Sequence, residues 1–228
     1  MVQPKTGGKR QKKAKKHNPQ KKLNILEGAL RVFGEKGYED TTISAISKAA
    51  NISDATVYEY FSSKEDVLFS ISELYTAREN ERIRSISHYI HSPREKIRVI
   101  IQAYLEFYEN NRLYTSVALL LLKGNRNFIK SKAYQVVKTS ARSIVDAFNE
   151  GVEKGVFRDD LDPYIVRNMV LGFIEHLTIQ WLLLSRPKNL SENRDAIFDM
   201  TMRAISKETA PKEISMNCGS VNIRFQEE

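Results

Sequence analysis

Between Gly37 and Phe69 the apolar positions come in short helical bursts. Ile43, Ile46, Ala49 and Ala50 recur at helical spacing, Asn51-Ile52-Ser53 breaks the pattern, and Val57, Tyr58 and Phe61 resume it on one face. This spacing predicts two short helices around a tight turn, a helix-turn-helix. Thr42 and Ser53 stand immediately before the two helices, where a hydroxyl accepts from an orphaned first-turn N–H. Ser63 through Asp66 matches the serine-x-x-acid capping box and places a third helix start at Lys64. Upstream, Lys22 to Lys36 carries one apolar stripe, Ile25, Leu26, Ala29, Leu30 and Phe33, that is expected to pack behind the pair and to end near Gly34 and Gly37. Downstream, no Gly or Pro intervenes until Pro93, so the helix from Lys64 is predicted to reach about His91. Val67, Leu68, Ile71, Leu74 and Tyr75 would pack on the N-terminal unit, and Ile83, Ile86 and Ile90 on the helices beyond Pro93.

Beyond Pro93 the periodicity is helical throughout, over about 94 to 110, 112 to 123, 127 to 154, 163 to 185 and 191 to 206. Gly124-Asn125, Gly151, Gly155, Asp162-Pro163 and Pro187 supply the breaks. After Ser206 the pattern is lost, with a short strand conceivable over Ser220 to Phe225. The expected fold class is all-α: an N-terminal three-helix helix-turn-helix DNA-binding domain, then a larger helical ligand-binding and dimerisation domain. The boundaries read as an arm over 1–21, the helix-turn-helix domain over 22–68, the larger domain over 69–206 and a tail over 207–228.

Composition narrows the setting. A chain of 228 residues, 41% hydrophobic and 28% charged, has enough material for a real core in both domains. The single Cys218 excludes an intrachain disulfide and a cysteine-based zinc site, which fits a reducing cytoplasm. No apolar segment follows the basic N-terminus, so no signal peptide is read, and Met169 to Ser185 is interrupted by Glu175, His176 and Gln180 and reads as a buried helix instead of a membrane span.

Charge changes the picture more. Residues 1 to 22 carry nine Lys/Arg, Lys12, Lys13, Lys15 and Lys16 among them, and no acid, so of the formal net charge of +8 the other 206 residues hold −1. Residues 23 to 68 hold four Lys/Arg against eight Asp/Glu, a net −4 on the part expected to touch DNA. The arm is therefore expected to supply much of the phosphate neutralisation; the alternative is a solvated tail.

In a helix-turn-helix the second helix presents its N-terminal residues to base edges, here Asp54, Ala55 and Thr56. Asp54 reads either as an acid favoured by the positive end of the helix dipole or as an acceptor for a cytosine amino group. Thr41-Thr42-Ile43, Ile46, Ala49-Ala50, Ser53, Thr56-Val57-Tyr58, Tyr60-Phe61 and Ser63-Lys64-Glu65 follow a pattern that resembles the signature of TetR-family transcriptional regulators. The resemblance covers roughly residues 22 to 70. It implies an all-helical homodimer whose C-terminal domain binds a small ligand and thereby lowers affinity for a palindromic operator. It further implies phosphate contacts from Thr42, Ser53, Tyr58, Tyr60 and Lys64, and base contacts from Asp54, Ala55 and Thr56. Asp54 departs from the family, which often has a basic or small residue there.

In the larger domain Tyr104, Phe107, Tyr108, Tyr114, Phe148, Phe173 and Trp181 could line a ligand cavity or simply build a core. Leu119 and its neighbours in the run Val117 to Leu122 favour a lipophilic cavity, and Glu175 and His176 are its polar candidates unless they pair across a dimer interface. Together with the resemblance, this lining suggests an acyl chain, acyl-CoA or similarly hydrophobic effector. Ile165, Met169, Val170, Phe173, Leu177, Ile197, Met200, Thr201 and Ala204 form two stripes that want covering, and the resemblance assigns them to a four-helix contact with a second copy. No P-loop, GxSxG, HExxH or dinucleotide fingerprint is present, and His88 and His91 lack a third ligand, so neither an enzyme nor a metal or cofactor is expected. An activator or architectural DNA-binding protein without an effector is the alternative reading.

Overall fold

The computed structural model describes residues 18–207, 213–218 and 221–226. The first helix, α1, spans Pro19–Lys36 and starts before its apolar stripe does. Asn18 caps it by accepting from the Gln20 N–H at 2.9 Å, with Pro19 where a missing N–H costs nothing. Lys21 and Lys22 therefore ride on α1, whereas Lys12, Lys13, Lys15 and Lys16 lie outside the described residues.

The helices α2 (Ile43–Ala49), α3 (Asp54–Tyr60) and α4 (Lys64–Ser87) come next. All three expected caps form: Thr42 accepts from Ala45 N–H at 3.1 Å, Ser53 from Thr56 N–H at 3.2 Å and Ser63 from Asp66 N–H at 3.1 Å. The return half of the capping box is displaced by one residue, because the Asp66 carboxylate accepts from the Ser62 N–H at 2.8 Å and from its hydroxyl. Between α2 and α3 the turn is made tight by Asn51 at φ 55°. Close approach also shapes this unit: a Cβ on Gly28 would lie 3.0 Å from the Ala50 nitrogen, so α1 and α2 meet almost backbone to backbone.

The fourth helix stops at Ser87 instead of His91. Pro93 disfavours helical geometry at Ser92, which turns extended and caps α5 (Pro93–Asn110). The expected helix over 112 to 123 is α6 (Arg112–Ser116) running directly into a π-helical stretch, Val117–Leu122. The expected helix over 127 to 154 is three pieces: a 3-10 turn at Phe128–Lys130, α7 (Lys132–Ser140) and α8 (Arg142–Glu153). At the break between α7 and α8 the Ser143 hydroxyl donates to the Ser140 carbonyl. Then come α9 (Pro163–Leu184), capped by Asp162, and α10 (Arg194–Ile205). The tail holds an antiparallel pair, β1 (Glu213–Cys218) and β2 (Val221–Gln226), with Ile214 opposite Phe225; the sequence pattern hinted at the second strand and not at its partner. No helix among the described residues is long and apolar enough to cross a membrane.

Two cores result. One joins Ile25, Leu26, Phe33, Ile46, Val57, Phe61, Leu68 and Ile71 to Tyr114, Val117, Ala118 and Leu122. The N-terminal unit is thus packed onto α6 and the π stretch, and no clean division falls at residue 68. The other core joins α5, α8, α9 and α10 through Ile97, Ile101, Leu105, Ile144, Phe148, Phe157, Ile174 and Ile197, and Ile83 of α4 reaches it. Burial of each such large side chain contributes about 1.5 to 3 kcal/mol, and α4 contributes to both cores, through Leu68 and Ile71 to one and Ile83 to the other.

Candidate functional site

At the start of α3 the side chains Ser53, Asp54 and Ala55 are exposed, and the Thr56 and Ser53 hydroxyls bond each other at 3.0 Å. Tyr58 is 59% exposed beside them, and Thr42 is exposed at the N-terminus of α2. Small side chains and free edges on this turn let a helix approach a groove closely. Asp54 has a further occupation: its carboxylate accepts from the buried Ser47 hydroxyl, tying the first turn of α3 to α2. That bond adds to the favourable helix-end position, and base reading by Asp54 has to compete with it.

Two of the side chains assigned to phosphate turn out to be engaged within the domain. The Tyr60 hydroxyl accepts from the Asn18 N–H at 3.1 Å, which fixes α3 to the head of α1. The Lys64 ammonium donates to the Tyr38 carbonyl at 2.6 Å and the Glu39 carbonyl at 3.1 Å, and sits 4.3 Å from the Tyr38 ring centroid. It braces the loop between α1 and α2 and has a single N–H left for anything else. Arg31 likewise donates to the Ala49 carbonyl at 3.1 Å. Two of the four basic residues in 23–68 are therefore engaged with carbonyls, which leaves fewer N–H donors free for phosphate on a segment that is already net acidic.

Behind the reader a small cavity of about 90 Å³ lies between α4, α5, the π stretch, α7 and α9. Of the residues expected to line it, Tyr104, Phe107, Tyr108, Tyr114, Leu119 and Glu175 do so. Phe148, His176, Trp181 and the exposed Phe173 do not. Phe148 is stacked on Phe157 at 5.8 Å in the other core, Trp181 is covered by the Arg112 guanidinium at 4.2 Å, and His176 is exposed, 3.2 Å from the Gln180 amide. Helix phase explains His176: one residue past Glu175 is a rotation of roughly 100°, enough to carry it from cavity to solvent. Thr76 and Glu79 of α4 and Ser140 of α7 line the cavity and carried no signal, because polar residues on a long helix read as a solvated face.

The lining is apolar with anchored polar tips. Burial pushes the Tyr104 phenol up to about 12, partly offset by its hydrogen bond to the Ser140 hydroxyl at 3.1 Å. Burial raises Tyr108 as well, and Tyr114, which bonds Thr76 at 3.3 Å. All three are therefore neutral at ordinary pH. Glu79, 7% exposed, is held in a fork by Arg82 at 2.7 and 3.0 Å, and Glu175 pairs with Lys123 of the same chain. No group of three or more His, Cys, Asp or Glu able to hold a metal exists among the described residues.

The expected interface residues divide in two. Ile165, Met169 and Phe173 of α9 and Met200 of α10 are exposed, at 64, 40, 47 and 49%. Val170, Ile197 and Thr201 are instead sealed in the chain's own core, and Leu177 and Ala204 pack partly against it. The sequence places apolar residues on both sides of α9, so periodicity alone could not say which side turns inward.

Comparison with known proteins adds two family matches. Residues 25–71 match the model described as bacterial regulatory proteins, tetR family, and residues 77–204, more than half of the chain, match the C-terminal region of YsiA-like proteins. The chain is 31% identical over 172 residues to the HTH-type transcriptional regulator HbdR of an Aromatoleum species, covering 73% of each chain. Among solved structures it is similar to the fatty acid degradation regulator FadR from Bacillus halodurans, with a TM-score of 0.74 and 26% identity over 79% of this chain and 97% of the other. It is also similar in fold to the transcriptional regulator FadR from Bacillus subtilis, solved in complex with stearoyl-CoA, with a TM-score of 0.75 and 23% identity over the same shares.

Proposed function

Since the chain belongs to the TetR family of regulators, we propose that it is a homodimeric repressor that leaves a palindromic operator when an acyl chain or acyl-CoA occupies the cavity behind its reader. As a member of that family it is a DNA-binding transcriptional regulator. The observation that carries the effector reading is a shared wall. Tyr114, Ala118 and Leu122 line the cavity and belong to the same packed cluster as Phe33 and Leu68, so a ligand that displaces them moves side chains on which α1 and α4 rest. The apolar lining suits a hydrocarbon chain, and the similar Bacillus subtilis protein was solved with stearoyl-CoA. On this reading it works in the cytoplasm, without cofactor or catalysis.

Thr42, Ser53 and Tyr58 would position the backbone, with Ala55 and Thr56 reading bases and Asp54 contributing where its bond to Ser47 yields. Ile165, Met169, Phe173 and Met200 would form the contact between copies. The test is selection of an operator from random DNA, followed by anisotropy titration with stearoyl-CoA. Release by the acyl compound, and an altered sequence preference in Thr56→Ala, are expected. Retention of the operator at saturating ligand would instead favour an activator or architectural protein without an effector. The cavity volume of about 90 Å³ is the observation on that side, since ligand sites usually exceed roughly 300 Å³.

A further inference from the structure

A larger cleft, about 540 Å³, opens between α4, α5, α7 and α8 on the far side of Ser140, which lines both spaces. Its character is different. Arg84, Lys96 and Arg142 line it with His88, against the carboxylates Asp146 and Glu150. Glu150 is already neutralised: it pairs with Lys96 at 2.5 Å and Lys154 at 2.6 Å, and these two ammonium groups hold its carboxyl below the usual range. Arg84 and Arg142 are exposed and make no ion pair among the described residues. The wall also contains the Ser87 hydroxyl, sealed from solvent and without a hydrogen-bond partner among the described residues. Two unengaged guanidinium groups on the wall of a cleft that also holds Ile83, Ile100 and Ala147 suit a phosphate-bearing group, which guanidinium binds through paired N–H donors.

Ser140, whose hydroxyl bonds Tyr104, lines both this cleft and the apolar cavity, and Ala141 at the α7–α8 break lines the cavity beside it. The cavity alone is too small for a chain with a head group, and the cleft beside it supplies both the room and the unpaired guanidinium groups that a head group needs. Together they fall within the usual size of a ligand site. We propose that the cleft is the anionic half of a two-part effector site, in which Arg84 and Arg142 hold the phosphates of an acyl-CoA whose chain passes Ser140 into the cavity. This rests on the acyl-effector reading above and adds to it which charged residues choose the ligand.

Direct binding of stearoyl-CoA, methyl stearate and free coenzyme A to the full chain and to Arg84→Ala/Arg142→Ala tests it. Both arginines are exposed, so the double variant should fold, as circular dichroism will verify. Each lost charge-assisted contact should weaken stearoyl-CoA about tenfold, so about a hundredfold for the pair, with the uncharged ester shifted less than twofold. Arg84→Lys/Arg142→Lys should restore much of the loss. Equal affinity of the wild-type chain and the alanine pair for stearoyl-CoA would overturn the head-group assignment and leave the acyl effector standing. Equal losses for stearoyl-CoA and the ester would also overturn it, by tracing the effect to packing. Free coenzyme A binding as tightly as stearoyl-CoA would make the cleft a separate nucleotide site and refute the two-part ligand. Failure of the wild-type chain to bind stearoyl-CoA or the ester would remove the effector reading itself.

Discussion

Replacing Lys64 by alanine should weaken the fold before it weakens any contact with DNA. The ammonium makes two hydrogen bonds to carbonyls, at 2.6 and 3.1 Å, and lies 4.3 Å from the Tyr38 centroid. A bond from a charged donor contributes about 1.5 to 3 kcal/mol when buried, and these are half-exposed, so about 0.8 kcal/mol each is reasonable; the ring adds about 0.5. The expected cost is about 2 kcal/mol, or a melting shift of roughly 4 to 8 °C for a chain of this size. Lys64→Met keeps the stem over Tyr38 and should lose somewhat less. Urea unfolding followed by circular dichroism measures the stability, and operator titration over a salt series measures the phosphate contribution. An unchanged unfolding midpoint with a salt slope shallower by about 1 would refute the bracing role and return Lys64 to the DNA backbone.

Deleting residues 1–17 removes seven Lys/Arg and leaves α1 with its Asn18 cap, so it should flatten the slope of log affinity against log salt by roughly 4 per subunit, with little change in operator preference; equal slopes would make the segment a solvated tail. On α9, Phe173→Asp should give folded monomers with weak operator binding, because Phe173 is 47% exposed, whereas Val170→Arg should unfold the chain, because Val170 is 1% exposed. Sedimentation and thermal melts separate these outcomes, and an intact Phe173→Asp dimer would remove that face from the interface.

How much was legible in the sequence depends on distance along the chain. The caps at Thr42, Ser53 and Ser63 act on amides three residues away, so their residue types announce them. The partners of Lys64 lie on another loop, and those of Tyr60 at the head of another helix, and no local pattern carries that information. The π turn hides inside a continuous leucine run, and the α7–α8 break sits at an alanine, a residue that favours helix. On α9 apolar residues occupy both faces, so Ile165 and Val170 could not be sorted until the core was assembled. The arginine-lined cleft draws one wall from α4 and another from α8, and charged residues on two separate helices look like two solvated surfaces.

The packing of α1 against α6 and the π stretch has a thermodynamic corollary. A reader excised at residue 68 would lose Tyr114, Val117 and Leu122 from its own interior, so it is not a transplantable module. Its melting free energy depends in part on residues far downstream, and a ligand that tightens their packing raises it too, by about 2.7 kcal/mol at a hundredfold excess over Kd. Linkage makes the coupling mutual: by whatever factor the ligand loosens the operator, the operator must loosen the ligand. A chain parked on its DNA is then a poorer sensor than one free in solution, and the threshold for response depends on how many operators are occupied.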